Sequence, residues 1–146
     1  MSTYHGTTRT NYFKVTDADK LREILESCDC DDEAEIVVWT RADDDGNECF
    51  SFACAVSING LIVGGGDNDE NEREASYSAF AEELQKTLPD GEVILITEVG
   101  HEKLCDLVGT ITVITNKEVK TKDLYEVGIA EGQRMLGDDQ WRPRWW

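Results

Sequence analysis

The pair of residues best placed for catalysis is Cys105 with His101, because a thiol beside an imidazole can act as an activated nucleophile. The residues around the pair predict a strand or a loop, and no oxyanion-binding or base-orienting motif accompanies them. We therefore expect a protein without enzymatic activity. A thiol-dependent enzyme that uses Cys105 stays as a third alternative.

Metal and nucleotide motifs are incomplete. Cys28 and Cys30 could begin a zinc site, but zinc usually takes a second pair of ligands. The glycines at 64–66 lack the Lys and Ser or Thr of a phosphate loop. The acidic run after them fails as a calcium loop, because Glu72 stands where glycine is needed and Ser78 stands where glutamate is needed. We expect no metal and no cofactor.

The cysteines are odd in number, and we expect free thiols in a reducing compartment. They are Cys28, Cys30, Cys49, Cys54 and Cys105. No apolar run approaches the roughly 18 residues of a membrane span. The sequence therefore predicts a protein of the cytoplasm with no membrane partner.

Charge is the strongest feature of the composition. The 146 residues include 31 acids and 14 bases, a net charge of -17, while 40% of the residues are hydrophobic. That apolar fraction is too high for a disordered acidic tail, so we expect a folded polyanion. Because phosphate recognition needs Lys and Arg, the sequence predicts no direct binding of nucleic acid and favours a basic protein surface as the partner.

The acids concentrate in one third of the chain. Residues 28–74 contain 14 acids and 2 bases. Carboxylates spaced along a sheet edge and its loops can resemble duplex phosphates, which predicts DNA mimicry. The acids expected to contact the partner are Asp29, Asp31, Asp32, Glu33, Asp43, Asp44, Asp45, Asp67, Asp69, Glu70, Glu72 and Glu74. The alternative is a solvated surface whose acids serve only solubility.

The carboxyl end, residues 138–146, carries three of the four tryptophans: Trp141, Trp145 and Trp146. Large aromatic residues and Arg dominate interface hot spots, so this tail is a second candidate contact. The alternative is a tail whose indoles pack back onto the domain.

Apolar spacing orders the elements that position these residues as β-α-β-β-(β)-α-β-β-α. This order predicts an α+β domain over residues 1–137: an antiparallel or mixed sheet of about five to six strands, with two to three helices mainly on one face. Residues 10–15 predict the first strand, and Asp17 or Thr16 the cap of the first helix.

Several turns are also predicted. Asp43-Asp44-Asp45-Gly46 predicts a hairpin, and Asn59-Gly60 predicts a second one with a type I′ turn. Gly109 predicts either a bulge in a long strand or a break between two paired strands. Thr121 is the expected N-cap of the last helix and Gly137 its C-cap.

Three segments carry a resemblance: residues 10–15 with the helix after them, residues 98–104 (EVGHEKL) and residues 108–115 (VGTITVIT). With them the chain resembles small acidic accessory proteins of bacterial phages and conjugative elements. The resemblance implies a cytosolic, non-enzymatic protein, and anti-CRISPR and anti-restriction inhibitors are similar in size and charge.

The leading hypothesis is thus a phage or mobile-element inhibitor that occupies the basic nucleic-acid-binding surface of a bacterial defence nuclease or DNA-binding protein. The rival is an accessory or regulatory module of a mobile element that binds a protein through its sheet or its Trp-rich tail.

Overall fold

The computed structural model describes residues 4–63, 74–102 and 106–144. Within them the chain forms an α+β fold with three α-helices and nine strands in two antiparallel sheets, which confirms the predicted class. The strands are β1 (Tyr4–Thr10), β2 (Cys28–Cys30), β3 (Val37–Ala42), β4 (Glu48–Cys54), β5 (Ile58–Val63), β6 (Glu74–Ser76), β7 (Ile94–Glu102), β8 (Asp106–Ile114) and β9 (Val119–Asp123). The helices are α1 (Ala18–Glu26), α2 (Tyr77–Thr87) and α3 (Leu124–Leu136).

The larger sheet has the strand order β3-β4-β1-β7-β8-β9. Its register aligns one inward row across the strands, in which Thr10 is opposite Ile96 and Ile96 is opposite Thr112. Phe52 joins this row from β4, where it faces Val38 on β3. Because alternate residues of a strand point to opposite faces, the buried core occupies one face of the sheet only.

Helices α1 and α2 cover that inward face. Asp17 caps α1 by accepting a hydrogen bond from the Lys20 amide, as predicted, and Leu21, Ile24 and Leu25 are buried. Helix α2 buries Phe80, Ala81, Leu84 and Thr87. These side chains and the inward residues of the sheet form one core cluster. No helix among the described residues is long and apolar enough to cross a bilayer.

The smaller sheet has the order β2-β5-β6 and corrects the second predicted hairpin. Asn59 and Gly60 lie inside β5, with Gly60 opposite Asp29. Gly60 has a φ of +121°, and a Cβ there would overlap the backbone of Ser76 and Tyr77. The glycine thus permits a close approach of β6 and the start of α2, a tertiary need that local turn chemistry does not reveal.

Three further expectations are corrected. Strand β1 ends at Thr10, and only Phe13 bridges to Phe50 beyond it. Gly109 lies in a regular β7–β8 ladder without a bulge, and the Leu124 side chain occupies the space above it. Asp123 caps α3 because its carboxylate reaches the Glu126 amide at 2.7 Å, while Thr121 belongs to β9.

One predicted helix end and one predicted hairpin are confirmed. Gly137 closes α3 in the left-handed conformation, with a φ of +65°. The Asp43–Gly46 segment connects β3 to β4 as a hairpin.

We predict that Gly60→Ala destabilises the protein by about 2–4 kcal/mol, since the new Cβ adds a backbone clash to the strain of a positive φ. Gly91→Ala is the matched control, because Gly91 also has a positive φ but faces open space. It should cost only about 1 kcal/mol. Urea unfolding followed by circular dichroism measures both; equal losses would contradict the close approach at Gly60.

Candidate functional site

The first acidic group surrounds a tight turn after β2. The Asn59 side-chain amide donates to the Asp29 carboxylate at 2.8 Å and to the Asp31 carboxylate at 3.1 Å. Asp32 and Glu33 follow with positive φ angles of 55° and 54° and are exposed. The amide thus holds two carboxylates in place while the next two project into solvent.

The second acidic group forms the β3–β4 hairpin. The Asp43 carboxylate accepts from the amides of Asp45 and Asn47 at 3.0 and 2.8 Å and pairs with the Lys14 ammonium at 2.9 Å. The hydrogen bond from Lys14 and the amide of Asn47 lower the pKa of Asp43 to about 2. Asp43 therefore organises the turn, while Asp44 and Asp45 stand exposed at its tip.

Strand β3 separates the two groups and forms an edge of the larger sheet. Its six residues span about 20 Å at 3.3 Å per residue. The acids at the two ends of this edge are named the acidic rim. Its members are Asp29, Asp31, Asp32, Glu33, Asp43, Asp44 and Asp45.

The remaining predicted acids are not part of the rim. Glu74 begins β6, opposite Val63, and is exposed. Strand β5 lies between it and Asp29, so the small sheet keeps these two carboxylates on separate strands. Asp67, Asp69, Glu70 and Glu72 lie outside the described residues.

Among the residues that the structure describes, no acid occupies an outward position on the open face of the larger sheet, although the chain has 31 acids. We name this surface the outer face. Its outward positions, placed by register and strand alternation, are Thr7, Arg9, Val37, Trp39, Arg41, Cys49, Ser51, Ala53, Leu95, Thr97, Val99, His101, Leu107, Gly109, Ile111, Val113, Lys120 and Lys122. A neutral to basic apolar face thus stands beside the acidic rim.

The outer face contains a pair that the sequence reasoning missed. The Arg9 guanidinium lies 5.2 Å from the centre of the Trp39 ring, and Ser51, directly opposite Trp39, is fully buried. An Arg stacked on an indole is a favourable cation–π contact. The sequence did contain a signal for this surface, because Val37, Trp39 and Arg41 alternate along β3.

The Trp-rich tail is partly attached. The Trp141 ring packs on Gly132 of α3, and the Gln133 side-chain amide donates to the Trp141 carbonyl at 2.9 Å. Trp141 is half-buried as a result. Trp145 and Trp146 lie outside the described residues. Of the three tryptophans predicted to contact a partner, the structure therefore describes Trp141 alone.

The four described cysteines, Cys28, Cys30, Cys49 and Cys54, are free thiols. Burial raises the pKa of Cys28 and of Cys30 to about 12. Both line a cavity of about 410 Å³ beside Arg22. A thiol with so high a pKa is a weak nucleophile at neutral pH. Cys105 lies outside the described residues, and His101 is exposed on β7.

Among the described residues, no three His, Cys, Asp or Glu side chains lie close enough to hold a metal ion. No protein-family model, curated protein sequence or solved structure matches the chain.

We predict that Cys28 in the native protein is alkylated at pH 8 about a thousandfold more slowly than an ordinary thiol, because its thiolate fraction is lower by about that factor. Mass spectrometry of iodoacetamide-treated peptides measures the rate. The rate should rise about tenfold per pH unit from pH 7.5 to pH 10. Levelling off near pH 9 would contradict the raised pKa.

We also predict that Asp43→Asn lowers the melting temperature at pH 7. The folded pKa of Asp43 is depressed below the unfolded value of about 3.9, so its stabilisation is present above that pH and is lost as the pH falls toward 2. The variant and the parent should therefore converge in stability between pH 4 and pH 2. Asp44→Asn is the control, and a constant difference across the acid range would refute the role of Asp43.

Proposed function

We propose that the protein is a non-enzymatic inhibitor that uses its acidic rim to occupy the basic nucleic-acid-binding surface of another protein. The observation that carries this proposal is the placement of exposed carboxylates at both ends of an open edge strand. Asp32 and Glu33 lie before β3 and Asp44 and Asp45 lie after it.

The length of the rim supports DNA mimicry. The roughly 20 Å of β3 separates the two acidic ends by the distance that about six phosphates span along one strand of a duplex, and β3 itself carries no carboxylate. Asn59 binds Asp29 at one end and Lys14 binds Asp43 at the other, so the two turns that present the exposed acids are held in place before a partner arrives. Fixed charges lose less conformational entropy on binding than charges on mobile side chains.

The charge distribution supports a basic partner. A net charge of -17 repels nucleic acid and attracts basic surfaces over distances near the Debye length. Because no described acid occupies an outward position of the outer face, a basic partner finds the exposed carboxylates of the rim more attractive than that face. Complementary fields of this kind raise association rates more than they raise final affinity.

The target class comes from the resemblance to accessory proteins of phages and conjugative elements. In that setting, the basic surfaces worth blocking are the DNA channels of defence nucleases and other DNA-binding proteins. We therefore propose the cytoplasm of a bacterial host as the site of action and a restriction or CRISPR effector as the target class.

A second candidate is an accessory module that binds a protein through its sheet. The exposed Trp39 and its partner Arg9 favour it, because both residue types dominate interface hot spots. The dependence of binding on ionic strength distinguishes the two candidates. Binding through the rim should weaken steeply as the ionic strength rises, whereas an aromatic interface changes little.

We predict that the variant with Asp32→Asn, Glu33→Gln, Asp44→Asn and Asp45→Asn folds normally but loses inhibition. The four side chains are exposed, so neutralising them relieves repulsion without removing a packed contact. The test is phage plating on cells that carry an active restriction or CRISPR system, with purified effector and labelled duplex DNA as the direct assay. Wild type should protect the phage and displace the DNA, and the rim variant should bind the effector at least tenfold more weakly.

The control neutralises four acids elsewhere: Asp19→Asn, Glu23→Gln, Glu82→Gln and Glu118→Gln. It makes the same change in net charge. Equal loss in both variants would assign the effect to overall charge, and full activity in the rim variant would refute the rim as the contact.

A further inference from the structure

A cleft lies between the inward face of the larger sheet and the smaller sheet with the start of α2. Strands β1, β7, β8 and β9 line it on one side, and β5 and Tyr77 line it on the other. Its volume of about 350 Å³ falls within the range of about 300–1,000 Å³ that is typical of small-molecule sites. We name it the hydroxyl cleft after six hydroxyl side chains that line it: Thr8, Ser57, Tyr77, Thr110, Thr112 and Thr121.

The inward face of the larger sheet changes from apolar to polar at this cleft. Ile96 and Ile114 are buried where the face packs in the core. The next inward row along the same strands places Glu98 opposite Thr8 on β1 and opposite Thr110 on β8. A sheet face that packs against a protein layer normally carries apolar residues. A polar row there indicates a surface suited to hydrogen bonding, because polar groups are costly to bury without partners.

Part of the lining is already connected by hydrogen bonds within the chain. The hydroxyls of Tyr77 and Thr112 lie 2.9 Å apart, and the hydroxyls of Thr112 and Thr121 lie 3.3 Å apart. The Thr8 hydroxyl lies 3.5 Å from the Glu98 carboxylate. Burial, with a smaller contribution from the Glu98 carboxylate, raises the pKa of Tyr77, so the phenol stays protonated and can donate. These contacts hold donors and acceptors of the cleft in fixed positions.

Ser57 adds an unpaired hydroxyl to the lining. Its side-chain oxygen is buried and has no hydrogen-bond partner among the residues that the structure describes. A buried polar group without a partner destabilises the folded state, so native proteins contain few of them. Because a serine hydroxyl both donates and accepts, a hydroxyl group of a ligand in the cleft would be a suitable partner.

The chemistry of the lining favours a neutral ligand with several hydroxyl groups. A phosphate or carboxylate ligand would need cations, but the described lining contains no Lys or Arg, and Glu98 repels anions. An apolar ligand would leave the hydroxyls without partners. The volume is also about tenfold larger than the roughly 30 Å³ of one water molecule, so a single bound water does not fill the cleft.

We propose that the hydroxyl cleft binds a neutral polyhydroxylated ring of monosaccharide size, held by hydrogen bonds to Ser57, Thr110 and Glu98. Thr121 is exposed, and Thr110 and Glu98 are half-buried, so the ligand can enter from solvent. The site is separate from the acidic rim, because no member of the rim, all of which the structure describes, lines the cleft.

Nuclear magnetic resonance of the isotope-labelled protein tests the proposal by titration with D-glucose, D-galactose, D-mannose and D-ribose. We expect at least one sugar to shift the amide resonances of Ser57, Thr110 and Thr112 saturably, with the roughly millimolar affinity of a very small ligand. Cyclohexanol, a ring with one hydroxyl, should bind at least about tenfold more weakly, because it leaves hydroxyls of the cleft unpaired. No saturable shift with any of the four sugars, or equal binding of cyclohexanol, would overturn the proposal.

Two variants that each remove one hydroxyl locate the ligand. Ser57→Ala and Thr110→Val should each weaken sugar binding at least about tenfold. Ser57→Ala should also leave the melting temperature unchanged or raise it, because it removes a buried unpaired group. Thr7→Val is the matched control, since Thr7 is exposed on the opposite face of β1, and it should bind like the parent.

Parental sugar affinity in both cleft variants would overturn the proposal. A lower melting temperature of Ser57→Ala with unchanged binding would likewise assign the hydroxyl to the stability of the fold. The rim variant described above should bind sugar as the wild type does, so the two proposals fail separately.

Discussion

A chain of aromatic edge contacts holds helix α2 against the larger sheet, and the rest of the structure depends on it. The Phe52 ring lies 6.1 Å from the rings of both Phe13 and Phe80, and Tyr77 adds a contact to Phe80 at 5.9 Å. All three phenylalanines are almost completely buried. Edge-to-face rings add about 0.5–1.5 kcal/mol for each pair beyond their area burial. This cluster joins β4, the segment after β1, and α2 into one core.

Because that core packs on one face of the sheet, helices α1 and α2 leave the other face open. This arrangement determines which surfaces carry the charged residues. Acids need water, so many of them lie in turns, at strand ends and on exposed helical positions, while Glu98 lies within β7 on the inward row. The outer face, by contrast, is formed by six strands whose outward residues include β-branched and aromatic side chains. Among the described residues, the charged outward positions of this face are all cations, and the Arg9–Trp39 pair partly covers it. A strongly anionic molecule therefore has a sheet face on which no described acid occupies an outward position.

The acidic surface is itself organised by a few neutralising contacts. Lys14 and the amides of the hairpin bind Asp43, and Asn59 holds Asp29 and Asp31 together. Such contacts offset the repulsion that a dense group of carboxylates would otherwise exert on the folded state. The neighbouring acids then project freely, which gives the rim exposed charges on a fixed frame.

The sequence by itself determined the local elements: α1 with its Asp17 cap, α2, the Asp43–Gly46 hairpin, the Gly137 end of α3 and the α+β class. Local patterns sufficed there because periodicity, capping and turn chemistry involve near neighbours. Only the tertiary structure decided that Gly60 lies inside a strand, that β2 and β6 build a second sheet, and that β3, which lies between the two acidic groups in the chain, is an edge of the larger sheet. These features depend on contacts between residues distant in sequence. At Gly60 the missing Cβ admits the backbone of Ser76, a requirement set by packing and not by its neighbours in the chain.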